Sequence, residues 1–291
     1  MRILSYTTTQ QDAGRAVRSV VPRRFQLGTH AFRRLKVENA ILLDGKPVRA
    51  DYILCAGQTL QILLENGASV PETAGDSLIV HIDEDMIVVN KPAPLATLPS
   101  CHIKTQTLRE LLSKQLGEDP QTFAYHPVNR LDKGTSGLLC IARHAHAQRL
   151  LSAQLHTGRF IRDYLAITEG IPENREGIID APIIREGTGA KRVIREDGQR
   201  AVTHYHVEQT AGNRALIRLR LETGRTHQIR VHLASIGCPI AGDYLYGSEL
   251  PELDGRFALH SFYLSCAQPL TGQTLSLNAP LPDSLSALLN G

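Results

Sequence analysis

Several short segments in which polar and apolar residues alternate place the strongest constraint on the fold. AVTHYHVEQ at 201–209 and ALIRLRLE at 215–222 both have this period of two. Successive side chains of a β-strand point to opposite faces, so the pattern is typical of an antiparallel sheet with one face against a core. DYLAIT at 163–168 and TLSLNA at 274–279 also have the composition of strands. The sequence predicts an α+β fold with a mixed, mainly antiparallel sheet.

Two segments between these strands have helical patterns instead. In CHIKTQTLRELLSKQLG at 101–117 the leucines recur at the spacing of one helix face. HAHAQRLLSAQLHTG at 144–158 is the second, and Gly158 is suited to end it. We therefore expect a few helices packed against the sheet.

The chain divides near NGASVPETAGDS at 66–77, which has little apolar content and the composition of a linker. We predict a small domain at 1–66, a linker at 67–77 and a larger domain at 78–291. In the small domain, helical signals at 13–37 precede AILLDGKPV, which is typical of a hairpin with Asp44-Gly45 as its turn.

Charge is concentrated near the N-terminus, although the net charge of the whole chain is only +3. Over residues 11–36 the only acidic residue is Asp12. The same stretch contains seven basic residues: Arg15, Arg18, Arg23, Arg24, Arg33, Arg34 and Lys36. A cluster of this kind favours a nucleic-acid contact, and a solvated basic helix face is the alternative.

Composition argues against several classes of protein. No apolar run approaches the ~18 residues that a membrane helix needs. The five cysteines form no CxxC pair, which argues against a disulfide framework and a cysteine zinc site. His204 and His206 alternate on one predicted strand face without a third ligand. We expect a cytoplasmic monomer with no metal, no cofactor, no membrane contact and no obligate protein partner.

The densest segment is HPVNRLDKGTSGLLCIAR at 126–143, where a turn-rich centre continues into an apolar strand. Asp132 lies between Arg130 and Lys133, and neighbouring cations favour the charged form of a carboxylate. That form suits a nucleophile or an electrostatic stabiliser. An aspartate that only satisfies backbone amides in a turn is the alternative, and this segment alone leaves both open.

Further segments, together with NRLDKGTSGLL, resemble the RluA-like RNA pseudouridine synthases over about 210 residues, from near residue 78 to the C-terminus. They are, in order, MIVVNKPAPLATLPS at 86–100, RFIRDYLAI at 159–167, LETGRTHQIRVHLASIGCPIAGDYLYG at 221–247 and ALHSFYL at 258–264. The family usually has His before Arg-Leu-Asp, where this chain has Asn129. Asn still donates and accepts hydrogen bonds, so we expect activity to be retained.

The resemblance implies an isomerase that detaches uracil from ribose C1′ and rejoins it through C5. Asp132 would act on the sugar, either by attack at C1′ or by removing a proton from C2′. Tyr164 would lie under the uracil, and Arg225 would pair with Asp132. A catalytically silent RNA-binding protein and an aspartate-dependent hydrolase are the alternatives. The second would need another carboxylate or a metal, for which the sequence offers no readable spacing.

The same resemblance implies RNA contacts. Arg130 would occupy the stack left by an extruded uridine. We expect Asn129 and Lys91 to contact the RNA as well. The N-terminal segment resembles the RNA-binding domain of ribosomal small-subunit protein four, so Arg33, Arg34 and Lys36 are candidates for phosphate contacts. Such a domain favours ribosomal RNA slightly over transfer RNA as the substrate.

Overall fold

A computed structural model describes residues 2–64, 77–99 and 106–290. Apart from Ser77, the linker predicted at 67–77 lies outside the described residues. So do residues 101–105 of the first predicted helical segment. The division into two domains therefore stays a prediction, and the two described parts on either side of the gap at 65–76 are treated in turn.

The N-terminal part is a four-stranded antiparallel sheet with the strand order β1-β4-β2-β3, packed against two helices. Its elements are β1 (Arg2–Thr7), α1 (Val17–Arg24), α2 (Thr29–Val37), β2 (Ile41–Leu43), β3 (Lys46–Pro47) and β4 (Thr59–Leu64). The predicted hairpin is confirmed: Asp44 and Gly45 both have positive φ, 49° and 80°, as a tight two-residue turn requires. Strand β1 was not predicted.

The larger part is built on a ten-stranded sheet whose main order is β10-β13-β14-β9-β15-β8-β6-β5, with β16 on β15 and β7 on β8. Its strands are β5 (Ile79–Ile82), β6 (Met86–Lys91), β7 (His126–Pro127), β8 (Ser136–Ala142), β9 (Ile161–Glu169), β10 (Glu176–Asp180), β13 (Val202–Ala211), β14 (Arg214–Leu221), β15 (Leu259–Ala267) and β16 (Thr274–Asn278). Strands β11 (Ile183–Arg185) and β12 (Arg192–Ile194) form a separate hairpin.

Within the described residues, every pairing in the large sheet is antiparallel except that of β15 with β8. The predicted α+β class with a mixed, mainly antiparallel sheet is confirmed. The parallel pairing sets Ser136 beside His260 and Gly137 beside Ser261. Strand β15 also pairs with β9, where Ser261 lies opposite Tyr164. The start of β8 is thereby brought next to Tyr164, although the two are far apart in the sequence.

Helices cover the sheet from both sides, so β8 is buried on both of its faces. The helices are α3 (Leu108–Gln115), α4 (Ala145–Gln154), α5 (Gln228–Ser235) and α6 (Asp283–Ser286). Leu139 and Ile141 belong to one apolar cluster, whereas Leu138 and Cys140 belong to a cluster on the opposite face. This explains why LLCIA is uniformly apolar while β13 and β14 alternate.

Two further expectations from the sequence concern membrane segments and metal sites. None of the helices there is long and apolar enough to cross a membrane. None of the groups of His, Cys, Asp and Glu there has the arrangement needed to hold a metal ion. His204 instead pairs with Glu222, at 2.8 Å between Nε2 and Oε1, and His206 lies 3.5 Å from Glu176.

Gly137 shows why the Thr-Ser-Gly segment ends in glycine. Its φ is +107°, and a Cβ added there would lie 2.2 Å from the carbonyl oxygen of Ser261. The clash would be with backbone in the next strand, which cannot swing aside as a side chain can. The close approach of β8 to β15 therefore depends on the missing side chain.

We expect Gly137→Ala to lower the free energy of unfolding by about 3 kcal/mol or more, because it adds overpacking to strain at a positive φ. Gly158→Ala is the matched control: its φ is +71°, but an added Cβ would meet nothing within 4 Å. It should cost only about 1–2 kcal/mol. Urea unfolding followed by circular dichroism measures both, and equal losses would contradict the proposed clash.

Candidate active site

The loop that carries Asp132 runs from β7 to β8, and its backbone carbonyl groups are held at successive residues. Thr97 Oγ1 donates to the carbonyl oxygen of Leu131 at 2.8 Å. The amide of Thr135 donates to that of Asp132 at 3.1 Å, and the amide of Leu95 to that of Lys133 at 2.9 Å. With three consecutive carbonyl groups bound, the position of the Asp132 side chain is set by backbone geometry.

Lys91 is part of this support, and the expectation that it contacts RNA is wrong. Its side chain is fully buried, and Nζ donates to the carbonyl oxygens of Leu95 at 2.7 Å, Pro92 at 3.1 Å and Lys133 at 3.4 Å. Burial lowers the pKa of Lys91 to about 7, against the opposing effect of the Asp132 charge. Lys91 lies at the end of β6, inside the sheet, so its amine binds the Asp132 loop from the interior of the protein.

The carboxylate of Asp132 pairs with Arg230, whose Nη1 lies 3.2 Å from Oδ2. This corrects the expectation that Arg225 is the partner. Arg225 lies in the exposed loop before α5, where its Nε donates to the carbonyl oxygen of Arg200 at 3.0 Å. Arg230 lies in the first turn of α5 and is directed inward, and only 3% of its side chain is exposed. Arg230 is therefore the partner of Asp132, because its guanidinium is buried beside the carboxylate whereas that of Arg225 is exposed.

Arg230 is itself fixed from several directions. Asp243 accepts two hydrogen bonds from it, both at 2.7 Å, and is completely buried. The guanidinium carbon lies 4.2 Å from the ring centroid of Phe257 and 5.0 Å from that of Tyr246. One cation thus faces two carboxylates, and the shorter bonds go to Asp243. The Asp132 charge is left incompletely matched and directed into the cleft.

Tyr164 lies on β9, with a side chain that is only 4% exposed. Burial raises its pKa, and the neighbouring charges of Arg162 and Asp132 act in opposite directions on it. Arg162 is two residues away, and both side chains line the cleft. The cleft therefore has an aromatic ring on one wall, and the buried hydroxyl group on that ring is neutral at pH 7.

The cleft has a volume of about 830 Å³. Among the described residues that line it, two are acidic, Asp132 and Glu222. Five are arginine or lysine: Arg130, Lys133, Arg162, Arg225 and Arg230. A cavity with this balance attracts an anionic ligand of nucleotide size or larger.

The structure brings most of the predicted residues together. Asp132, Tyr164, Arg225, Asn129 and Arg130 all line the cleft. Arg130 is exposed there. Asn129 is buried, with Oδ1 accepting from the amide of Cys140 at 3.2 Å and Nδ2 lacking a hydrogen-bond partner among the described atoms.

The predicted basic residues of α2 lie outside the cleft. Arg33, Arg34 and Lys36 are exposed, and Arg34 pairs with Glu38 at 2.6 Å. Other members of the N-terminal cluster serve the fold, since Arg24 binds the buried carboxylate of Asp12 at 3.0 Å. The basic cluster is therefore only partly available for an external anion.

Sequence reasoning missed Arg230 because it lies in the same motif as Arg225, and either guanidinium could bind a carboxylate. Asp243 and Tyr246 were missed for a different reason: their roles depend on contacts with α5 across the fold. His227 belongs to the same motif, and its Nε2 lies 3.9 Å from Asp132 Oδ2. His232 faces away, hydrogen-bonding to Thr203 Oγ1 at 2.8 Å.

Comparison with known proteins gives matches to one family. Residues 85–235 match the family model described as RNA pseudouridylate synthase. The chain is 34% identical over 253 residues to a Bacillus subtilis protein named uncharacterized RNA pseudouridine synthase YjbO, covering 86% of this chain and 89% of the relative. It is 36% identical over 268 residues to ribosomal large subunit pseudouridine synthase D of Xanthomonas campestris, covering 86% and 80%.

Solved structures give the same result for the fold. Human RNA pseudouridylate synthase domain containing 1 matches with a TM-score of 0.59 and 27% identity, over 74% of this chain and 90% of the human one. Human RNA pseudouridylate synthase domain containing 4 matches with a TM-score of 0.57 and 27% identity, over 73% and 91%.

The assignment of Arg230 can be tested against Arg225 by the same substitution at both positions. We expect Arg230→Lys to lower the free energy of unfolding by about 3 kcal/mol, because one ammonium cannot serve both carboxylates and leaves buried Asp243 poorly paired. Arg225→Lys, at an exposed position, should change it by less than about 0.5 kcal/mol. Chemical denaturation measures both, and a larger loss for Arg225→Lys would reverse the assignment.

Proposed function

Since this chain belongs to the RNA pseudouridine synthase family and is an isomerase that converts uridine in RNA to pseudouridine, we propose that Asp132 is the carboxylate that acts on the target ribose. The observation that carries the proposal is its position. Asp132 is the acidic group that faces the cleft beside both Tyr164 and a buried arginine. Its loop is held on three successive carbonyl groups, which suits a group that must meet one sugar atom.

The reaction changes no atom count, and each bond has a simple balance. The N1–C1′ bond breaks, the uracil turns, a C5–C1′ bond forms, the C5 proton leaves and N1 gains a proton. Asp132 acts either as a nucleophile at C1′ or as the base that takes a proton from C2′. Arg230 keeps the carboxylate oriented in both routes, because Oδ2 of Asp132 accepts a hydrogen bond from Nη1.

Tyr164 is proposed to support the uracil while it is detached from the sugar. Its ring offers a face for stacking, worth ~1–3 kcal/mol per base in single-strand binders. Because burial raises its pKa, the hydroxyl group enters the reaction protonated. It is therefore present as a neutral hydroxyl group and not as a phenolate base.

The cleft is proposed to receive a uridine that has left its helix or loop. Arg130 is exposed where it lines the cleft, and it is proposed to fill the vacated stack. Asn129 lines the cleft beside Arg130 and is proposed to contact the bound nucleotide as well. The excess of cations in the cleft compensates the phosphates on either side of the target.

We propose that the N-terminal residues add phosphate contacts through the exposed side chains of Arg33, Arg34 and Lys36. Such contacts carry little sequence information and weaken as salt rises. The proposed substrate is ribosomal RNA of the large subunit, in view of relatives that are named for that subunit. The corresponding location would be the cytoplasm.

We expect Asp132→Asn to reduce turnover to less than a hundredth of the wild-type rate, because the amide is nearly isosteric but is a poor nucleophile and a poor base. Tritium release from RNA labelled at uracil C5 measures the rate, and a filter-binding assay should show RNA affinity within about threefold of wild type. Asp254→Asn, at an exposed position outside the cleft, is the matched control. More than a tenth of the wild-type rate in Asp132→Asn would refute the role.

The substrate can be found by mapping pseudouridine in total RNA from cells with and without the gene. We expect one or a few positions of large-subunit ribosomal RNA to lose the modification, and a plasmid copy of the gene to restore it. A plasmid copy with Asp132→Asn should not. Loss confined to transfer RNA would contradict the proposed substrate while leaving the activity intact.

A further inference from the structure

His227 has a backbone conformation that non-glycine residues seldom adopt. It lies immediately before α5 with φ 58° and ψ 18°, in the left-handed region. Such a conformation costs on the order of 1 kcal/mol or more and persists only where the surroundings impose it. Here it directs the imidazole ring into the cleft, next to Asp132.

The hydrogen bonds around Tyr246 assign the tautomer of that ring. The amide of Arg192 donates to the Tyr246 hydroxyl oxygen at 2.8 Å. The same oxygen lies 2.9 Å from Nδ1 of His227. A tyrosine hydroxyl has one hydrogen, and among the described residues Nδ1 of His227 is the one acceptor within its reach, so we infer that this hydrogen goes to Nδ1. In the neutral ring the proton is then on Nε2.

The Nε2–H group is directed towards Asp132, the centre of the proposed chemistry, and has no hydrogen-bond partner in the described part of the chain. It lies 3.9 Å from Oδ2 of Asp132, beyond hydrogen-bond distance. Within the described chain, the hydrogen bonds of His227 side-chain atoms involve only Nδ1. The ring is 13% exposed, and burial lowers its pKa, which keeps it neutral at pH 7 although Asp132 opposes the shift.

We propose that Nε2–H of His227 donates a hydrogen bond to the 2′-hydroxyl oxygen of the target ribose, and so makes the site select a ribonucleotide. The proposal rests on the proposed role of Asp132. Whether that carboxylate attacks C1′ or takes a proton from C2′, the 2′-oxygen is bonded to C2′, so it would lie close to the Asp132 carboxylate. A donor beside that carboxylate is therefore within reach of the 2′-oxygen in both routes. The 2′-hydroxyl group is the feature by which a protein distinguishes RNA from DNA at one position.

Tyr246 has a positioning role in this arrangement. It does not reach the substrate itself, but it orients His227 through Nδ1 and packs its ring against the guanidinium of Arg230. One tyrosine thus supports both neighbours of Asp132. Removing only its hydroxyl group should affect His227 and spare the contact with Arg230.

Three substitutions at His227 separate donation from backbone support. Gln places an amide N–H near the position of Nε2, whereas Asn and Gly lack the reach but tolerate positive φ better. A donor role predicts that His227→Gln keeps a single-turnover rate within about fivefold of wild type at saturating RNA. It predicts that His227→Asn and His227→Gly lose about 10- to 100-fold. A purely structural role predicts the reverse order, and that result would overturn the proposal.

A second measurement identifies the substrate atom. The probe is a ligated RNA with a single 2′-deoxyuridine at the mapped position, compared with the same RNA containing uridine there. The deoxy substitution should slow the wild-type enzyme at least about fivefold more than it slows His227→Asn, because the lost contact is already missing in the variant. Equal slowing of both enzymes would mean that His227 does not meet the 2′-oxygen.

Tyr246→Phe tests the same proposal by removing the hydrogen bond to Nδ1 of His227. It should slow the enzyme severalfold in the wild-type background and produce no further loss when combined with His227→Asn. Additive losses would overturn the link between the two residues. An active Asp132→Asn enzyme would defeat the proposed function itself. An inactive Asp132→Asn enzyme together with normal turnover by His227→Asn would defeat only the present inference.

Discussion

The guanidinium of Arg230 is shared by two carboxylates, Asp243 in the interior and Asp132 at the cleft. An arginine cannot shed its charge, so a side chain that is 3% exposed requires a buried counter-charge, which Asp243 supplies. Asp132 then receives one longer hydrogen bond and keeps its other oxygen for the cleft. The arrangement orients the carboxylate without neutralising it, which suits the proposed action on a ribose.

This ion pair is useful only because the Asp132 loop is equally well fixed on the opposite side. Lys91 and Thr97 hold its carbonyl groups, and the close contact of Gly137 with Ser261 sets where the loop enters the sheet. The Lys91 amine is buried for this purpose at a cost in hydration, which is the reason that its pKa falls to about 7. A lysine inside a family motif can thus be an internal support and not a contact to RNA.

The sequence predicted more of the fold than of the site. The alternation in β13 and β14 predicted an antiparallel sheet correctly, and in β14 one face is buried while the other is half-buried or exposed. Strand β1 was missed because its partner β4 lies more than fifty residues away, so no local pattern signals the pairing. The motifs around Asp132 and Tyr164 identified both residues as candidates. That they share one cleft was predicted only from the resemblance to the family.

By itself the sequence determined which local elements form, since side-chain periodicity and turn residues act over a few neighbours. It also determined that Asp132 and Tyr164 belong to segments typical of RNA pseudouridine synthases. Only the tertiary structure decided which arginine meets Asp132, why Lys91 is unavailable to RNA, and that His227 is turned into the cleft. Those facts depend on burial and on distances between segments far apart in the chain, and neither quantity can be predicted from local sequence.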